Sequence, residues 1–152
     1  MVEEASDSIV VFTPYFDRIL VNLFASSDDA NVQKTLVTEL DWIASSAQDR
    51  KKLVYIIHLI GEGVDVRVLD RLHAKILVVD HERAVFGSQN FTSYSTSSFE
   101  ISTEIEYGDD DDGFFDEIEE LLRVSRPISW GELEEVFGNS STWFSEYDDD
   151  ED

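Results

Sequence analysis

Two short apolar runs on either side of a polar turn fix the centre of this chain. Ala74 to Val79 and Ala84 to Phe86 flank Asp80-His81-Glu82-Arg83. Runs of this length, rich in Val and Ile and bounded by charge, predict two neighbouring strands. Side chains two apart on a strand share a face, so His73 and Lys75 project together while Ala74 and Ile76 point into a core. Upstream, Ile9 to Tyr15 is β-rich and is stopped by Pro14. Asp28 and Asp29 are placed to cap a helix whose positions Val32, Leu36, Leu40, Ile43 and Ala47 follow a 3.6-residue period. Residues 50–60 read two ways, because Leu53, Ile56, Ile57 and Ile60 make a helical stripe while their β-branching suits a buried strand. A helix ended by Gly61 or Gly63 is favoured, since Val64 to Leu69 then alternates as a strand.

Downstream, a Ser- and Thr-rich loop over Thr92–Ser98 leads to a strand near Ile101–Tyr107, and Asp109 to Gly113 forms a turn. Phe114, Phe115, Ile118, Leu121 and Leu122 share one helix face ahead of Pro127. Ser129 and Glu132 form a capping-box pattern for a last helix carrying Leu133, Val136 and Phe137. Strands and helices alternate without internal repeats, which predicts an α/β fold, a mixed β-sheet flanked by helices. One domain is expected over residues 9–146, with a loose polar segment at 1–8 and a disordered acidic tail at 147–152.

Composition narrows the function. The 152 residues hold 34 Asp and Glu against 11 Lys and Arg, a formal charge of -23. With 42% apolar residues this is no disordered polyacid. Its apolar runs fall short of the roughly 18 residues of a membrane span, and a signal-peptide pattern is missing, so a cytoplasmic protein without a membrane partner is expected. Cysteine is absent, which excludes disulfides and thiolate metal sites. The screening length falls from about 10 Å at 0.1 M salt to about 3 Å at 1 M, so an acidic coat of this density fits a halophilic protein. The charge is uneven. Arg50 to Arg83 holds 7 basic and 5 acidic residues, a surplus of +2, whereas Glu100 to Asp152 holds 20 acids and 2 arginines, or -18. Chemistry on anions belongs in the middle.

That middle contains His73-Ala74-Lys75, then Asp80, then Gly87-Ser88-Gln89-Asn90. A returning strand brings Gly87, Ser88 and Asn90 near the face that carries His73 and Lys75. Glycine allows close backbone approach, and Ser and Asn add donors. An imidazole, an ammonium, a hydroxyl and an amide converging on one point suit a phosphate with a nucleophile beside it.

These spacings resemble the HKD motif of the phospholipase D superfamily, H-x-K-x(4)-D-x(6)-G-S-x-N. The wording G-S-Q-N-F-T is most similar to the bacterial single-motif nucleases of that superfamily, and the resemblance spans roughly residues 50–125. It implies an α/β/α sandwich with one half-unit per chain, and a phosphodiesterase that needs no metal or other cofactor. By the same resemblance His73 attacks phosphorus and becomes a phosphohistidine, while Lys75 and Asn90, assisted by Ser88, hold the non-bridging oxygens. An acidic residue after the G-S pair orients the imidazole, Glu100 by position with Glu104 in reserve. Asp80 braces the turn, and Gly87 serves the backbone. His58 and His81 lack the H-x-K setting, so the second catalytic histidine is expected from another copy in a homodimer with a shared site.

Plainer readings apply elsewhere. His58 suits a packed or half-exposed helix position and His81 a turn. Asp109–Asp112 lacks the spacing of an EF-hand loop, three histidines without H-E-x-x-H make a poor zinc site, and Ser88 lacks a nucleophile elbow. Trp130 and Trp143 suit core or dimer packing. Nucleic acid is the favoured substrate. A phospholipase or phosphatidyl transferase, and a non-catalytic member that binds DNA or a partner, are the alternatives.

Overall fold

The computed structural model describes residues 4–27, 29–40, 47–72, 75–87, 102–106 and 113–139. Seven strands form one mixed sheet: β1 (Ser8–Phe12), β2 (Gln33–Thr38), β3 (Asp65–Val68), β4 (Ile76–Val79), β5 (Arg83–Gly87), β6 (Ser102–Glu106) and β7 (Arg126–Pro127). Their spatial order is β6-β5-β4-β1-β2-β3-β7. β1, β2 and β3 run parallel, and the remaining neighbours pair antiparallel. Helices α1 (Arg18–Ala25) and α2 (Ala47–Gly61) make the two crossovers between the parallel strands, and α3 (Phe114–Val124) and α4 (Trp130–Asn139) follow β6.

The sheet is covered on both faces. Ile9, Val11, Leu36, Val66, Leu77 and Val79 pack with Leu20 and Phe24 of α1, Leu53, Ile56 and Leu59 of α2, and Leu133 of α4. The alternate residues Val10, Phe12, Val37, Ile76, Val78 and Ala84 pack with Phe115 and Ile118 of α3. β4 is therefore buried at every position, as a central strand between two helical layers must be. Ile76 enters a core as expected, and Leu77, on the Lys75 face, lies in the core of the opposite layer.

The helix expected over roughly 30–47 is overturned. Residues 33–38 are β2, paired with β1 and β3 from Ser8–Gln33 through Thr38–Val68. Asp29 caps a turn instead of a helix, with its carboxylate accepting from the Asn31 amide at 2.9 Å and its carbonyl from Val32. Val32, Leu36 and Leu40 are buried as expected, but Val37 is equally buried on the opposite face. A two-faced strand met the 3.6-residue period by coincidence, and the tertiary context between two strands decided the outcome. Ile43 lies outside the described residues, and Ala47 opens α2. Helix α1 had no reading from sequence; Asp17 caps it, accepting from the Ile19 amide at 3.0 Å.

The other elements follow the sequence closely. α2 ends at Gly61, and Gly63 takes the left-handed conformation (φ 90°) that turns the chain into β3. Ser129 and Glu132 form the reciprocal capping box, at 3.1 Å from the Glu132 amide to Oγ and 3.2 Å from the Ser129 amide to the carboxylate. The segment at 1–8, read as loose, is tied down from Ala5, which is buried. Trp130 does not enter a core; it is 60% exposed. Trp143, the Asp109–Asp112 cluster, the Thr92–Ser98 loop and the acidic tail lie outside the described residues.

Candidate active site

The strand directions gather several chain segments at one edge of the sheet. β1, β2, β3 and β5 end there, and β4, β6 and β7 begin there. Ile76 pairs with Phe86, so the register, continued by one residue, sets Lys75 across from Gly87. Gly87 in turn pairs with Ser102. Lys75 is half-buried, and no described residue binds its ammonium. His73, Ser88, Asn90 and Glu100 lie outside the described residues. Glu104 lies on β6 with its backbone opposite Val85.

The loops at this edge are tied together by a residue the sequence reading missed. Lys52, buried on α2, donates to the carbonyl of Pro14 at 2.7 Å and to the carbonyl of Glu39. Its ammonium also lies 5.8 Å from the ring centroids of Tyr15 and Phe16, within cation–π range. One side chain thus joins the loop after β1 to the loop after β2. A signal was present, since Lys52 falls on the helical stripe of Leu53, Ile56 and Leu59, where a lysine is buried only if its charge is met. Glu39 carries the tie onward, its carboxylate accepting from the Arg71 amide at 2.7 Å. The Leu69 amide donates to the Thr38 carbonyl at 2.9 Å. The chain leading from β3 to Lys75 is therefore pinned at two points. The Thr38 hydroxyl at this edge is fully buried and lacks a hydrogen-bond partner among the described residues.

Asp80 lies at the opposite edge, five residues along β4 from Lys75 or about 16 Å at strand rise. Asp80 and His81 both hold left-handed φ, 55° and 56°, and the Glu82 amide closes the turn on the Val79 carbonyl at 3.1 Å. The Asp80 carboxylate accepts the amides of Ser6, Asp7 and Ser8 at 2.7–3.1 Å and the Ser6 hydroxyl at 3.4 Å. Burial pushes its pKa up, but the amides of Ser8, Asp7 and Ser6 and the Ser6 hydroxyl outweigh that and hold it below the ordinary aspartate value. Asp80 anchors the start of β1.

The two other histidines also sit away from Lys75. His81 rests edge-on against Phe115 at 5.5 Å between centroids, with Glu119 at 3.3 Å. His58 is half exposed near the far end of α2, 3.7 Å from Glu62. No helix among the described residues is long and apolar enough to cross a membrane.

Comparisons with known proteins agree with this architecture. The family model described as cardiolipin synthase, PLD-like domain, matches residues 1–123. No curated protein matches in sequence. Among solved structures, Nuc from Salmonella typhimurium, described as a phospholipase D family member, is 15% identical with a TM-score of 0.65, over 84% of this chain and 85% of that one. NucT from Helicobacter pylori is 12% identical with a TM-score of 0.63, over 84% and 86%. Phosphatidylserine synthase from Haemophilus influenzae is 12% identical with a TM-score of 0.57, and the match spans 84% of this chain but 35% of that longer one. At such identities these likenesses speak for the fold alone. By the family model over most of its length, and by the sheet it forms, the chain belongs to the phospholipase D superfamily.

Proposed function

We propose that this protein is a metal-independent nuclease, a phosphodiesterase that cleaves nucleic acid through a phosphohistidine on His73 and does so as a homodimer. The observation that carries the reading is the division of the histidines. In the sequence His73 stands two residues before Lys75, whose ammonium no described residue holds at this edge, whereas His58 and His81 lie at the far side of the sheet. A second imidazole at the reacting phosphate then has to come from another copy. The match to Nuc and NucT over nearly the whole of both chains supports a half-unit of this kind, and the G-S-Q-N-F-T wording supports nucleic acid over lipid.

In the proposed reaction an imidazole nitrogen of His73 forms a bond to phosphorus as the bond to the leaving oxygen breaks. The His73 imidazolium of the second copy gives its proton to that oxygen. Water then attacks phosphorus, loses a proton to the same imidazole, and displaces the His73 nitrogen. Lys75, with Asn90 and Ser88, neutralises charge on the non-bridging oxygens. Glu100, with Glu104 as the alternative, fixes the tautomer of the nucleophile.

The test uses labelled single- and double-stranded DNA, RNA and phosphatidylcholine in molar KCl with excess EDTA, beside a His73→Ala variant. Nucleic-acid cleavage that survives EDTA and disappears in the variant is expected, with a dimer in sedimentation. Turnover of lipid alone, or an active monomer, would overturn the reading.

A further inference from the structure

The described cations divide into those the fold uses and those it leaves over. Lys34 donates to the Ser27 carbonyl at 2.6 Å, Lys52 binds two carbonyls, and Arg67 binds the hydroxyl and carbonyl of Ser125. Arg123 and Arg126 pair with Glu120 and Glu132, and Arg18, Lys51 and Arg83 are also engaged. Among the described side chains only Arg71 and Lys75 have basic heads that no described residue holds. In a chain of charge -23, two unclaimed cations four residues apart are not explained by a shortage of acids.

Arg71 is also held in place. Its φ of 59° is left-handed, an uncommon state for a long side chain that persists only where neighbours impose it. Here the Glu39 carboxylate takes its amide at 2.7 Å, and the next residue, Leu72, is buried against the Phe115 face of the sheet. The guanidinium itself is left exposed. Four residues of chain reach at most about 14 Å, which keeps both heads within reach of neighbouring phosphates of one strand, spaced about 3.4 Å along the axis in a duplex. A lipid phosphodiester offers a single such group.

We propose that Arg71 is a second phosphate-binding residue, contacting a backbone phosphate next to the one at Lys75, so that the site takes a nucleic-acid strand and not an isolated phosphodiester. This rests on the nuclease reading above. The test measures anisotropy of a fluorescein-labelled single-stranded oligonucleotide with the His73→Ala protein, which does not turn it over, across a range of KCl concentrations. Adding Arg71→Ala should weaken binding about tenfold, the size of one charge-assisted contact. It should also flatten the slope of log K against log salt by roughly 0.7. Arg71→Gly, which eases the backbone while removing the guanidinium, should do the same, Arg71→Lys should restore the slope, and Arg123→Ala should leave both unchanged. An unchanged slope in the Ala and Gly variants overturns this proposal alone. No oligonucleotide binding by the parent, or binding only to phosphatidylglycerol vesicles, overturns the nuclease reading with it.

Discussion

The turn of the β4–β5 hairpin and the chain entering its open end treat their charged residues in opposite ways. At the turn, Asp80 collects three amides and a hydroxyl, and His81 is matched by Glu119 and Phe115. At the open end the side-chain heads of Lys75 and Arg71 meet no described partner, although the Arg71 amide is held by Glu39. Charge at the turn holds the fold together, whereas the side-chain charge at the open end has no such use among the described residues. Two residues of the resembled motif thus divide into an aspartate engaged by the fold and a lysine that the proposed reaction employs.

Substitutions at each end should therefore fail differently. Lys75→Ala should lower phosphodiester cleavage by about 10²–10³-fold, as loss of one donor to a developing charge does, while shifting the melting temperature little. A large stability loss in that variant would break the contrast. Asp80→Asn should do the reverse. Removing a charged acceptor from several amides, two of them near solvent, costs about 1–2 kcal/mol, which for a chain of this size is about 3–6 °C in a thermal melt. Activity per folded molecule should be kept. The acid limb sharpens the same point. Because the folded pKa of Asp80 lies below its ordinary 3.8, its contribution is present above that value and fades as pH falls through the lowered one. Wild type and Asp80→Asn should thus differ at neutral pH and converge below pH 3.8 in acid-unfolding curves. The smallest effect belongs to Glu119→Gln, a half-exposed contact to His81, which should change stability by under about 0.5 kcal/mol.

Much of this arrangement was legible beforehand because it is local. The β4–β5 hairpin, the helix over 50–60, the capping box at Ser129 and the Phe-rich helix are each specified by residues within a few positions of one another. β2 was misread because Val32, Leu36 and Leu40 satisfy a helical period by chance, and only the strands on either side reveal that Val37 is buried too. α1 has a clear cap at Asp17 but just eight residues, too few for its period to stand out. The bond from the Arg71 amide to Glu39 and the bonds from Lys52 to Pro14 and Glu39 join residues 13 to 38 positions apart; the local pattern shows that Lys52 needs a partner but not which residues supply it. Trp130 shows the opposite limit, an aromatic whose identity suggests burial and whose position at the start of α4 leaves it exposed.

The grip of Asp80 on Ser6 through Ser8 spans 72 to 74 positions, and it fastens a strand that lies in the middle of the sheet. During synthesis β1 emerges well ahead of its antiparallel neighbour β4 and of the carboxylate that secures it, which leave the ribosome some seventy residues later. Until then one flank of β1 stays open to unintended pairing, so the growing chain is vulnerable over the stretch between β1 and the hairpin.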